Sequence, residues 1–88
     1  MDSYKIVWKS SAKKELKRLE KKAISKIIQA VEMLPNNPYP QGSRKIVGSS
    51  SSYRIRVGDY RIIYNIQSLV LVIEIIRVGH RREVYKKK

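Results

Sequence analysis

The stretch Tyr53-Arg54-Ile55-Arg56-Val57-Gly58-Asp59-Tyr60-Arg61-Ile62-Ile63-Tyr64 constrains the fold more than any other part of this 88-residue chain. Its side chains follow the two-residue period of a half-buried strand, interrupted only at Gly58-Asp59. Glycine at the first of two central positions suits a type II′ turn, which predicts a tight hairpin with Val57 opposite Tyr60. Counting outward, Arg56 faces Arg61, Ile55 faces Ile62, Arg54 faces Ile63 and Tyr53 faces Tyr64. One side then carries Tyr53, Ile55, Val57, Tyr60, Ile62 and Tyr64 and has to be packed against something apolar, while the other gathers Arg54, Arg56 and Arg61. Like charges directly across a strand pair cost some tenths of a kcal/mol, up to about 1 kcal/mol. Two readings remain open: solvent-facing positions filled by long charged residues, with Glu74 or Glu83 as partners, or an anion site on a rigid sheet face. The cost of juxtaposing arginines favours the second.

Upstream, Tyr4, Ile6 and Trp8 alternate with Lys5, Val7 and Lys9, predicting a strand over residues 3–9. Ser10 or Ser11 can cap the helix that follows. Ala12, Leu16, Leu19, Ala23, Ile27, Ala30 and Leu34 recur at spacings of three and four, giving one apolar stripe over residues 11–34. With no Gly or Pro inside it, periodicity leaves open one helix or two; a bend at the charged stretch Glu20, Lys21, Lys22 is a choice that rests on the resemblance described below. The run from Pro35 to Gly42, with three prolines, ends the helix in a surface loop. Beyond it, residues 44–48, 53–57, 60–66 and 69–78 read as strands, with a polar connection from Ser49 to Ser52. The run Leu69 to Ile76 is apolar enough to be a central strand. Such an order predicts an α+β fold, and the length allows a single domain spanning 1–88.

The chain has no cysteine and one histidine, His80, which excludes a disulfide framework, a thiolate metal site and a multi-histidine site. No cofactor is expected, and any chemistry is metal-free or uses a borrowed metal. The N-terminus lacks the apolar core of a secretory signal and no run approaches the roughly 18 apolar residues of a membrane span, so a cytoplasmic protein is expected. Twenty Lys and Arg against seven Asp and Glu give +13, a field that attracts polyanions through counterion release. Nucleic acid is the leading partner class, and an acidic protein that covers the charge is the second. Eight of the twelve lysines lie between Lys5 and Lys26, whereas seven of the eight arginines lie between Arg44 and Arg82. Lysine, a flexible hydrated point charge, suits the solvated face of a helix rather than a membrane surface. Arginine is a planar fork that grips phosphate in two places, so the second half is where a site belongs.

The last predicted strand runs into Arg77-Val78-Gly79-His80-Arg81-Arg82-Glu83-Val84-Tyr85, which would bring His80, Arg81 and Tyr85 beside the hairpin. YRIRVGDYRIIY, followed by a hydrophobic strand and RVGHRREVY, resembles the hallmarks of the RelE/ParE toxin superfamily over nearly the whole chain. The resemblance implies a RelE/microbial-RNase-like fold, with an N-terminal strand and helical hairpin on one face of a twisted, mainly antiparallel sheet of four to five strands. It also implies the toxin of a type II toxin-antitoxin system. The RelE branch consists of ribosome-dependent endoribonucleases that cut messenger RNA in the A site and are held inactive by an antitoxin. The ParE branch instead inhibits DNA gyrase and generally lacks the basic catalytic set.

Carried onto this chain, the RelE pattern names Arg54, Arg56, Arg61, Arg81 and Tyr85 as catalytic, with Tyr85 as general base and Arg81 as a stabiliser of the leaving group. His80 is an alternative proton donor. Arg44, Lys45, Arg77, His80 and Arg82 are expected to contact RNA. The partners implied are ribosome, messenger RNA and a RelB-like antitoxin with an acidic segment, the free toxin being a monomer and the antitoxin complex a hetero-oligomer. Two departures stand out: arginines replace the lysines of the best-studied RelE pattern in the YRIRV strand, and two fewer residues separate the basic residue from the tyrosine. A gyrase inhibitor of the same fold and a non-catalytic nucleic-acid-binding module are the alternatives; the joint presence of Arg61, Arg81 and Tyr85 favours the nuclease.

Overall fold

The computed structural model describes residues 3–80. Along the chain lie β1 (Lys5–Trp8), α1 (Ser10–Lys17), α2 (Lys21–Glu32), β2 (Arg44–Lys45), β3 (Ser52–Val57), β4 (Tyr60–Gln67) and β5 (Val72–His80). The strands form one sheet in the order β1-β5-β4-β3-β2, antiparallel except for the parallel pair of β1 and β5. This is the α+β architecture expected from the sequence, with β5 central between β1 and β4.

The hairpin forms in the register its turn dictates: Val57 opposite Tyr60, Arg56 opposite Arg61, and Tyr53 opposite Tyr64. Gly58 has φ 61°, and Leu71 is the one non-glycine with positive φ among the described residues, so Asp59 lies on the negative side as type II′ requires. Ile55, Ile62 and Tyr64 join Ala12, Leu16, Ile27, Val31 and Leu34 in one buried cluster, with Tyr53, Val57 and Tyr60 packed against it. The two halves of the apolar pattern, period two in the sheet and three to four in the helices, therefore meet in a single core.

The helical stripe breaks into two helices between Lys17 and Lys21, and Glu20, the first residue of the charged stretch expected to hold a bend, is the N-cap of α2. Other boundaries differ from the expectation. Neither serine caps α1: the N-cap is Lys9, whose N–H still bonds the Ile75 carbonyl at 3.0 Å, so the strand runs straight into the helix and Ser10 is already helical. The strand expected at 44–48 is only Arg44–Lys45. The strand expected at 69–78 starts at Val72 and ends at His80, because Leu71 takes φ 55° and residues 68–71 turn the chain; Leu69 is fully exposed.

Two side-chain links hold the layers together. β1 pairs with β5 only as far as Ile75, beyond which no strand among the described residues lines the outer edge of β5. Glu15 on α1 fills it: Oε1 accepts the Val78 N–H at 2.8 Å and Oε2 accepts Arg77 Nε at 3.0 Å. With side chains 26% and 37% exposed, Glu15 and Arg77 form a weak ion pair, and the bond to the buried Val78 backbone is the larger contribution. The second link is Tyr64, fully buried, whose hydroxyl donates to the Pro38 carbonyl at 2.8 Å and fastens the proline-rich loop to the sheet. Burial pushes its phenol up from 10 to about 12, aided by the neighbouring phenols of Tyr53 and Tyr39 and opposed by a hydrogen bond with Ser43.

Removing the acceptor in Glu15→Ala should lower stability by about 2 kcal/mol, because a buried N–H is left unpaired. Arg77→Ala should cost less than about 1 kcal/mol. Urea unfolding at unchanged slope measures both, and equal losses would assign the clamp to the ion pair instead. For Tyr64, the folded state holds its proton to higher pH than the unfolded chain, so this contribution is complete below pH 10 and is lost as pH climbs toward 12. Tyr64→Phe should therefore melt lower than the wild type, by about 1 kcal/mol at neutral pH, with the deficit shrinking between pH 10 and about 12. A deficit constant across that window would refute the titration.

Candidate functional site

The hairpin register puts Arg54, Arg56 and Arg61 on the sheet face opposite the core, and β2 adds Arg44 directly across from Arg54. Two like-charged cross-strand pairs thus lie on three adjacent strands. They border a cleft of about 270 Å³ lined by Gly42, Arg44, Arg54, Ile55, Arg56 and Arg61. Repulsion within each pair works against folding by up to about 1 kcal/mol, and among the described residues Arg44, Arg56 and Arg61 have no carboxylate partner. Glu74 sits opposite Asn65, four residues along β4 from Arg61 and so about 13 Å away at the strand rise, too far to neutralise it.

The arginines are held differently. Arg56, exposed, donates from Nε to the Gly58 carbonyl at 3.1 Å, so the turn that sets the register also orients this guanidinium. Arg61 has Arg56 on one side and Gly79 on the other, where no side chain covers it. Its Nε and Nη1 are buried and make no hydrogen bond among the described residues. Buried donors on a charged group are costly unless something accepts from them. An oxyanion is the species that satisfies this arrangement, since a guanidinium fork matches two phosphate oxygens and a concave surface of one sign focuses its field.

The other expected contacts fall elsewhere. Lys45 is exposed and lies across from Tyr53, on the opposite face to Arg44. Arg77 is engaged by Glu15 at the far edge of β5. His80 pairs with Tyr60 on the core-side face, its ring edge-on at 6.0 Å between centroids. Arg81, Arg82 and Tyr85 lie outside the described residues. The cleft therefore collects Arg44, Arg54, Arg56 and Arg61. Sequence reasoning did not foresee that Arg44 faces Arg54 or that Gly42 lines the cleft. A two-residue strand leaves no periodic signal, so nothing in the pattern could have aligned β2 with β3.

The sequence matches the profile of a family described as the ParE toxin of the type II toxin-antitoxin system parDE, over residues 6–85. A relative from Methanocaldococcus jannaschii, named as toxin RelE1, is 30% identical over 76 residues, which cover 83% of this chain and 84% of the relative. The archaeal RelE-RelB complex from Pyrococcus horikoshii contains a chain that superposes with a TM-score of 0.80 at 27% identity, covering 91% of this chain and 97% of that one. A mutant of the E. coli toxin RelE in the free state shares the fold, with a TM-score of 0.79 at 22% identity over 97% of this chain and 92% of that one. This chain belongs to the RelE/ParE toxins of type II toxin-antitoxin systems, and it is a toxin of the RelE type.

Proposed function

We propose that this toxin is a metal-independent endoribonuclease that cuts messenger RNA in the ribosomal A site and so inhibits translation. The observation that carries the reading is Arg61, whose Nε and Nη1 are buried without an acceptor among the described residues, in a cleft bordered by three further arginines. A guanidinium that served only solubility would turn these donors to water; those of Arg61 are buried beside Arg44, Arg54 and Arg56, where an RNA phosphate would satisfy them.

The chemistry follows from charge. The 2′-hydroxyl loses a proton and its oxygen attacks the adjacent phosphorus in line; the bond to the 5′-oxygen breaks, leaving a 2′,3′-cyclic phosphate and a 5′-hydroxyl. Tyr85 is assigned as the base that takes the 2′ proton. Arg54, Arg56 and Arg61 neutralise the charge that grows on the phosphoryl oxygens. Arg81 stabilises the departing oxygen as a fixed charge, since guanidinium does not readily give up its proton, and that oxygen collects its proton from water or His80. Arg44 extends the contact along the backbone, with Arg82 from the tail. Ribosomal positioning of the messenger supplies orientation worth several kcal/mol, so slow cleavage of free RNA is consistent with this assignment.

The partner that restrains the toxin is assigned as a RelB-like antitoxin with an acidic segment, to which the +13 charge is complementary. In support, the similar Pyrococcus horikoshii chain was solved as a RelE-RelB complex. The free toxin acts as a monomer in the cytoplasm, where ribosomes are. The match to a profile named for ParE favours a second reading, inhibition of DNA gyrase by the same fold.

In a translating extract, wild-type protein should produce ribosome-dependent cuts. Tyr85→Phe should slow them by roughly 10²- to 10⁴-fold, the usual contribution of a general base. Arg61→Ala should slow them by about 10²-fold or more. Intact messengers together with blocked supercoiling by gyrase would replace this reading with the second. For binding alone, each of Arg56→Ala and Arg61→Ala should flatten the plot of log affinity for single-stranded RNA against log salt by about 0.7. An unchanged slope would remove that arginine from the phosphate site.

A further inference from the structure

A second cavity, of about 240 Å³, opens beside the arginine cleft and shares Gly42, Ile55 and Arg56 with it. It exists because β2 is so short. β2 pairs with β3 only at Arg54 and Tyr53, so among the described residues no strand covers the outer edge of β3 at Arg56. In a two-residue hairpin Val57 and Tyr60 exchange the first pair of backbone bonds, which turns the N–H and C=O of Arg56 outward, toward this uncovered edge. Arg56 thus presents a guanidinium on the cleft side and a backbone donor and acceptor at the edge. The walls of the cavity are apolar, from Ala30 and Met33 of the α2 end, Pro40 of the loop and Val57 of β3. Asn37 and Gln41, both exposed, add two side-chain amides.

We propose that this cavity is a nucleobase subsite: it receives the base of the nucleotide whose backbone phosphate lies in the arginine cleft, and it gives the toxin a base preference of its own. The inference rests on reading the cleft as an RNA phosphate site. The cavity lies below the range of pockets that enclose drug-sized ligands, about 300 Å³ and upward, and suits one flat ring system. Met33, 70% exposed, offers a polarisable thioether to a ring face. Single-stranded RNA is read by holding an unstacked base between apolar surfaces and bonding its edge, and a carboxamide carries the paired donor and acceptor that such an edge matches. An apolar side chain from a protein partner could fill the same walls, but a flat base carries on its edge the paired donor and acceptor that the two amides match and adjoins the phosphate in the arginine cleft, which is why RNA is the better occupant.

The test uses the full chain and fluorescent 2′-O-methyl tetranucleotides, which bind without being cut, each with one base removed in turn. Loss of the base at one position should weaken binding on the order of tenfold, as for a single held base. Filling the cavity with Ala30→Leu should bring the ratio of intact to abasic affinity at that position to about one. Asn37→Ala and Gln41→Ala should reorder the preference among the four bases there. The proposal is overturned if every abasic RNA binds as well as the intact one. It is also overturned if Ala30→Leu melts like the wild type and keeps the ratio, the result expected of a seat for a protein side chain. Should Ala30→Leu fail to fold, Gln41→Ala on the exposed loop decides, and an unaltered base preference in it sinks the subsite. Failure of the phosphate reading is distinct: Arg61→Ala would then bind intact RNA as tightly as the wild type.

Discussion

The two-residue turn at Gly58-Asp59 is the constraint on which the rest of the molecule depends. A slip of β3 by one residue against β4 would turn Tyr53, Ile55 and Val57 to solvent and bury Arg54 and Arg56 in their place. Glycine at position 58 takes φ 61° without a Cβ penalty, and that conformation closes the hairpin with Val57 opposite Tyr60. Core and cleft are consequently two faces of one decision. The same turn carbonyl accepts from Arg56 Nε, so the element that sets the register also orients part of the site.

A sheet face bearing Arg44, Arg54, Arg56 and Arg61 stores electrostatic repulsion, and something has to keep it from spreading apart. The stiffness comes from behind. Ile62, Tyr64, Ile73 and Ile75 are fully buried in the two central strands, and a close-packed interior yields little. The arginines are therefore held near one another before any ligand arrives, which is the condition under which fixed charges stabilise a developing anion without reorganising. Flexible lysines on α1 and α2 do not meet that condition and read as a general polyanion-attracting field.

The proline-rich loop links the helical layer to the site. It leaves α2, is fastened by the bond from Tyr64 to Pro38, and delivers Gly42 and Arg44 to the edge of the sheet. Tyr53 lies between Tyr39 of this loop and the Tyr64 ring, at centroid distances of 5.2 and 6.2 Å, so the loop is held by rings as well as by a hydroxyl. One wall of the cleft and much of the neighbouring cavity thus depend on a buried phenol 26 residues away in sequence.

Local chemistry, written into the sequence, determined the hairpin, its register and the convergence of Arg54, Arg56 and Arg61, because alternation and turn type act between residues a few positions apart. It determined the apolar stripe of the helices for the same reason, and the +13 net charge. It left open whether the stripe is one helix or two, and it did not determine where β5 begins. Leu69 and Val70 are as apolar as strand residues, and only the left-handed Leu71 and the bond from Lys5 N–H to its carbonyl set the boundary. Tertiary structure alone decided the strand order, the pairing of Arg44 with Arg54, the reach of Glu15 to Val78 across 63 residues and the buried donors of Arg61 that find no acceptor among the described residues. Such contacts join segments with no shared periodicity. Their partners are chosen by which backbone edges and buried donors remain unsatisfied once the sheet has closed on its core, and that is a property of the assembled molecule.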